Sequence, residues 1–238
     1  MKLVIFLFIG VAAWAQLQPP QLGVMVDRSG AARPVFGVAG SATTGPPLAA
    51  AVISSACSSQ LCLFKTESSL LVWTGGVWNG GAIAAPRGPA LFALNGASAY
   101  VYFPRSAQLA QWQSGKLTML DSNVAGEILS LLATAGGTLQ FAVLRNGAVS
   151  IVDQNDQGLG TIPGTPAMLI PNGAVYAASG ALVLCLNDAS ELRWPLAGIQ
   201  EFSAMGDGYV QIRTASGSYA LRVDPGREQL FMLPEIAR

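Results

Sequence analysis

Residues 139–153 read Leu139-Gln140-Phe141-Ala142-Val143-Leu144-Arg145-Asn146-Gly147-Ala148-Val149-Ser150-Ile151-Val152-Asp153. Two apolar runs, 139–144 and 149–152, flank Asn146-Gly147. Asn-Gly supplies the two positive φ angles of a two-residue hairpin, so the stretch predicts two antiparallel strands joined by a tight turn. Asp153-Gln154-Asn155 then ends the second strand with another turn-forming cluster. No long window keeps apolar residues at helical spacing behind a cap.

The punctuation around this hairpin recurs in order. One set of turns is Ser58-Ser59, Asn95-Gly96, Gly136-Gly137, Asn172-Gly173 and Asp207-Gly208. A second is Glu67-Ser68, Arg105-Ser106, Asn146-Gly147, Ser179-Gly180 and Ser216-Gly217. A third runs from Asp27-Arg28 through Thr74-Gly75, Ser114-Gly115, Asp153-Gln154 and Asn187-Asp188 to Asp224-Pro225, each preceded by an apolar anchor. The anchors Val26, Trp73, Trp112, Val152, Leu186 and Val223 are 47, 39, 40, 34 and 37 residues apart. The unit is four short strands, A to D. Repeats fall at about 49–87, 88–124, 125–164, 165–198 and 199–236.

A repeated four-stranded meander of this period predicts an all-β fold, a β-propeller of five four-stranded blades. One meander has two apolar faces and cannot bury both alone; blades around an axis bury both. Strand A is expected innermost, and the stretches 50–53, 90–93 and 167–170 are suitably small and apolar. A hairpin at 21–38 is left over, joined to the repeats by a linker at 39–48 rich in Thr, Gly and Pro. Either it is a partial sixth blade, or one strand is misassigned. An irregular β-sandwich or barrel is the alternative fold.

The sequence resembles the broad β-propeller repeat superfamily. The nearest echo is the pyrroloquinoline-quinone type of repeat, in Leu186-Asn187-Asp188-Ala189-Ser190-Glu191-Leu192-Arg193-Trp194, with Ser190 where that family has Gly. The resemblance implies architecture and no cofactor.

Met1-Lys2, an apolar run over 3–11 and Ala13-Trp14-Ala15 have the order of a secretory signal peptide. Cleavage is expected between Ala15 and Gln16, leaving one domain at 16–238 in the periplasm or outside the cell. The leader is too short to span a bilayer, which takes roughly 20 residues. Export permits disulfides. Cys57 and Cys62 bracket a predicted turn, so they are either bonded across a hairpin or simply small core residues; Cys185, in an apolar run, reads as a buried thiol.

The chain of 238 residues contains no histidine, and its 13 basic and 13 acidic side chains cancel. Histidine-dependent triads and the usual zinc sites are excluded. Zero net charge leaves no electrostatic footprint for nucleic acid. No catalytic, cofactor-binding or metal-binding residue is assigned. Asp153 to Gly158 begins like a calcium loop but has Gly164 at the position of the bidentate Glu, so it reads as a turn. Glu201, Asp207 and Glu127 border predicted inner strands and could reach an axial mouth. Arg213 and Arg222 are expected to pair with Glu201 or Glu228. Trp73 and Trp112 occupy equivalent strand ends, which favours packing between blades over sugar stacking. The expected function is a non-catalytic binding or scaffold module for a protein segment or glycan. The alternative is an exported carbohydrate-active lyase or hydrolase with carboxylate, Arg or Tyr chemistry at the mouth.

Overall fold

The Asn146-Gly147 hairpin is formed. Arg145 pairs with Ala148 across it, and the two turn residues take φ of 49° and 80°. The computed structural model describes residues 19–187 and 190–234. The leader expected at 1–15, with its cleavage site at Ala15 and Gln16, lies outside the described residues, as do Asp188 and Ala189 of the quinone-like stretch.

Six antiparallel sheets succeed one another along the chain. The first holds β1 (Gln21–Val26), β2 (Ala32–Val38) and β3 (Ser41–Thr44). The second holds β4 (Ser54–Cys57), β5 (Leu61–Lys65) and β6 (Ser69–Thr74), with an outer strand broken into β7 (Val77–Trp78) and β8 (Ile83–Ala84). The third runs β9 (Leu91–Asn95), β10 (Ser98–Phe103), β11 (Gln108–Gln113) and β12 (Lys116–Leu120). The fourth runs β13 (Glu127–Ala133), β14 (Leu139–Arg145), β15 (Ala148–Asp153) and β16 (Gly158–Ile162). The fifth runs β17 (Ala167–Ile170), β18 (Gly173–Ala178), β19 (Ala181–Leu186) and β20 (Glu191–Pro195). The sixth runs β21 (Ile199–Gly206), β22 (Tyr209–Thr214), β23 (Ser218–Arg222) and β24 (Gln229–Met232).

Strand alternation explains why the sheets stack around an axis. In β10, Val101 and Phe103 enter one apolar cluster while Tyr100 and Tyr102 enter another. Both faces of the sheet are therefore buried. Six such clusters fill the six gaps between neighbouring sheets. The last gap, between the N-terminal and C-terminal sheets, is filled by Leu22, Met25, Val35, Met205, Phe231 and Leu233. The fold is a β-propeller whose ring closes by packing, and among the described residues no strand is exchanged between its first and last blades.

The blade count expected from the repeats is corrected from five to six. The leftover hairpin is β1–β2, and it becomes a blade because Ser41–Thr44 pairs with β2. That segment was expected to be linker. The first repeat is also corrected: its inner strand is Ser54–Cys57, four residues beyond the apolar run at 50–53. The axis itself keeps a fivefold character. β4 and β21 meet directly there, and β1 lies behind them. Close backbone contact permits this. A Cβ on Gly23 would sit 2.0 Å from the Met205 carbonyl oxygen, and one on Gly206 would sit 2.7 Å from that of Leu22.

Candidate functional site

The axial channel is lined by the inner strands β4, β9, β13, β17 and β21. It has two mouths. The narrow one, about 160 Å³, is bordered by the beginnings of these strands and carries Ser54, Ser55, Ser130, Gln200, Glu201 and Ser203. The wide one, about 350 Å³, lies at their far ends, beside the turns of the first set. Phe92, Leu131, Met168 and Ala204 line both cavities and close the channel between them.

Polar groups at the narrow mouth are largely committed to holding blades together. The Ser54 hydroxyl accepts the Ala90 N–H at 2.8 Å, and Ser130 accepts that of Leu169 at 3.0 Å. Each bond ties one blade's inner strand to the next. Glu201 and Arg213 are cross-strand neighbours in β21 and β22 and form an ion pair there. Partial burial lowers the Arg213 pKa. Beside them, Val26 at the end of β1 meets Ser54, Ser55 and Gln211 around a void of about 10 Å³.

The wide mouth is chemically different. Its walls are Leu94, Leu132, Met168, Ile170 and Tyr209, interrupted by Gly96, Gly206 and Gly208, with Asp207 the one charged residue among those lining it. Tyr209 is fixed at the rim: Phe231 meets its ring edge-on at 6.4 Å, and the Arg222 guanidinium lies 5.9 Å from its centroid. Arg222 in turn donates to Asp224 at 2.8 Å, not to the expected Glu201 or Glu228. The aspartate is two residues along the same strand end, closer than either predicted partner.

The candidate acids do not converge. Glu201 borders the narrow mouth and Asp207 the wide one. Six residues of strand separate them, about 20 Å at 3.3 Å per residue. Paired glycosidase carboxylates stand about 5–9.5 Å apart. Glu127 starts β13 and lines neither cavity. Asp153 serves its turn, accepting the N–H groups of Asn155 and Gln157 at 2.8 and 2.9 Å, while Asp156 pairs with Arg145. No cluster of three metal-ligating side chains occurs among the described residues.

Trp112 is buried between blades 2 and 3, and Trp73 packs between blades 1 and 2. Trp78 is exposed on the outer rim and Trp194 packs between blades 5 and 6. Among the described residues no tryptophan lines either mouth. Cys57 and Cys62 are directly opposed in β4 and β5 and joined by a disulfide, with Cα atoms 4.1 Å apart. The adjacent pair, Ser58 and Leu61, is hydrogen-bonded at 2.8 Å. That leaves the cysteines at a non-hydrogen-bonded position, where strands approach most closely. Cys185 is half-buried rather than buried, and it borders a cleft between blades 4 and 5. That cleft, about 520 Å³, has no signal in the sequence, because its two walls come from different repeats.

No helix among the described residues is long and apolar enough to cross a membrane. No protein-family model matches the chain, and no curated protein does. Solved structures do. A chain of the nidogen/laminin complex is 12% identical with a TM-score of 0.57, over 89% of this chain and 93% of that one. PorZ, a surface component of the type-IX secretion system of Porphyromonas gingivalis, is 14% identical with a TM-score of 0.54. The match covers 91% of this chain, which spans 38% of the PorZ chain. At such identities the likeness is one of fold, and it places the chain among the β-propellers.

Proposed function

We propose that the chain is an exported, non-catalytic binding module that receives an apolar protein segment in the wide axial mouth. One observation carries this reading. The wide mouth presents mainly apolar side chains and glycine backbone, with Ser58, Ser59, Gln60 and Asp207 also in its lining, around a cavity of about 350 Å³, within the ~300–1,000 Å³ range of binding sites. The groups with catalytic potential sit at the other end, where Glu201, Arg213, Ser54 and Ser130 are engaged with one another or with backbone. Their cavity, about 160 Å³, falls below that range. The absence of tryptophan among the described residues lining either mouth favours a protein segment over a stacked sugar. The leader at 1–15 and the Cys57–Cys62 disulfide support export.

The test uses the chain lacking residues 1–15, panned against a random peptide library and, in parallel, a glycan array. Apolar peptides should be enriched and should lose at least ~10-fold in affinity on Leu94→Lys or Met168→Lys, because each places an uncompensated charge in the mouth. Glycan capture without peptide capture, or peptides indifferent to both substitutions, would sink the proposal. Export is checked separately by N-terminal sequencing of the secreted product, which should begin at Gln16.

A further inference from the structure

The cleft between blades 4 and 5 has features that the mouth lacks. At about 520 Å³ it lies inside the ~300–1,000 Å³ range of small-molecule sites. Its walls are apolar, with Ile162, Leu169 and Leu186 among them, and among the described residues no Asp, Glu, Lys or Arg lines it. Its polar side chains among the described residues are neutral, including the amides of Asn172, Asn187 and Gln140, the hydroxyls of Thr134 and Thr161, and the Tyr176 hydroxyl.

Tyr176 is the informative one. The residue is 2% exposed, yet it lines the cleft, and its hydroxyl makes no hydrogen bond with any other described residue. That hydroxyl is not among the enclosed side-chain atoms left without a partner, so it opens onto the cleft, where a guest can hydrogen-bond to it. Burial raises the Tyr176 pKa, and the nearby Glu191 and Cys185 add to this while Arg193 opposes it. The phenol is therefore a neutral donor at physiological pH. A charged guest would find no counter-charge among the described lining residues, so its desolvation would be poorly compensated there. An amide or hydroxyl guest would satisfy both the phenol and the side-chain amides, each of which donates and accepts.

We propose that this cleft binds a small neutral ligand bearing an amide or hydroxyl group, oriented by the Tyr176 hydroxyl. The proposal is independent of what the wide mouth receives.

The half-buried Cys185 thiol provides the readout. Its thiolate attacks one sulfur of an added disulfide, forms a mixed disulfide and releases the other half as a thiol. Three symmetric disulfides are compared on the full chain: bis(N-acetyl)cystamine, which is neutral; cystamine, a dication; and 3,3′-dithiodipropionate, a dianion. Each rate, read by intact mass, is divided by the rate for the same thiol in the urea-unfolded chain, which cancels intrinsic reactivity. The neutral probe should show a ratio about 10-fold above either charged probe, as expected for an uncompensated charge. Tyr176→Phe should lower the neutral ratio about 5-fold, the loss of one hydrogen bond, and leave the charged ratios unchanged. Ratios equal across the three probes, or a charged probe preferred, would overturn the proposal. So would a neutral ratio unmoved by Tyr176→Phe. Should that variant fail to fold, the charge series on the unmodified chain and Asn172→Ala decide the matter.

Discussion

The Gln211 side chain holds the main chain of Val26 from both sides. Val26 N–H donates to Oε1 at 3.0 Å, and Nε2 donates to the Val26 carbonyl at 2.9 Å. The two residues are 185 positions apart, and Gln211 is buried. A side-chain amide thus takes the place of a strand partner where the first blade meets the last. Gln211→Leu would leave one buried donor and one acceptor unpaired. Each costs about 1–3 kcal/mol, so a loss of about 2–6 kcal/mol in urea unfolding is expected. A loss below ~0.5 kcal/mol would mean the pair does not hold the junction.

Gly23 and Gly206 sit at the same junction. Gly206→Ala brings a methyl group within 2.7 Å of the Leu22 carbonyl oxygen, so it should cost about 1–3 kcal/mol as overpacking does. Gly23→Ala should cost more. It meets backbone at 2.0 Å, and Gly23 also has φ of +144°, a conformation that non-glycine residues reach only with strain. Equal stabilities for the two variants would show that steric contact at this junction is relieved by movement of β1.

Asp27 organises the first turn of the chain. One carboxylate oxygen accepts Ser29 N–H at 2.8 Å, the Ser29 hydroxyl at 2.6 Å and Ala31 N–H at 3.0 Å; the other accepts Arg33 Nε at 2.8 Å. Burial pushes its pKa upward, but these hydrogen bonds outweigh burial and hold it below 3.8. A carboxylate whose folded pKa is depressed contributes fully above the unfolded value, and the contribution is lost as pH falls through the folded one. Asp27→Asn should therefore cost about 1–3 kcal/mol at pH 7 and lose less further stability than the parent as pH falls below about 4. Parallel acid limbs in urea titrations of the two proteins would refute this.

The disulfide closes a short loop, with a sequence separation of 5 between Cys57 and Cys62. The chain-entropy relation gives about 2 kcal/mol for a loop of this size. Replacing both cysteines by alanine should lower stability by about that amount. Mild reduction of the parent should give the same loss.

The hairpins were legible because their cause is local: Asn146-Gly147 takes positive φ whatever surrounds it. What was missed depends on partners. Ser41–Thr44 has no apolar run and sits between glycines, and it is a strand because β2 needs a neighbour. Ser54–Cys57 is less apolar than 50–53, and the Ser54 hydroxyl is used to accept Ala90 N–H from the next blade. Glu201 at a mouth and its pairing with Arg213 could be read from alternation along β21 and β22. The cleft beside Cys185 could not, because no spacing within one repeat encodes the gap between two.

Lys65 is a buried cation. It has no exposed surface, and its ammonium donates to the carbonyls of Thr66 and Glu67 at 2.6 and 3.1 Å. Burial lowers its pKa below 10.5, with the charge of Glu67 partly opposing. The folded chain then binds this proton less tightly than the unfolded chain. Between the folded value and 10.5 the unfolded state carries more protons, so stability rises with pH across that interval and levels off above it. Lys65→Met keeps the volume and removes the cost of a desolvated charge, at the loss of two hydrogen bonds. These effects oppose each other, as when buried ions are replaced by apolar residues of similar size. The variant should lie within about 1 kcal/mol of the parent at pH 7, whereas Lys65→Ala, which leaves a cavity, should lose about 2–4 kcal/mol. The alkaline rise in stability should vanish in both. A rise that persists in the methionine variant would assign it to another group and remove Lys65 from the account.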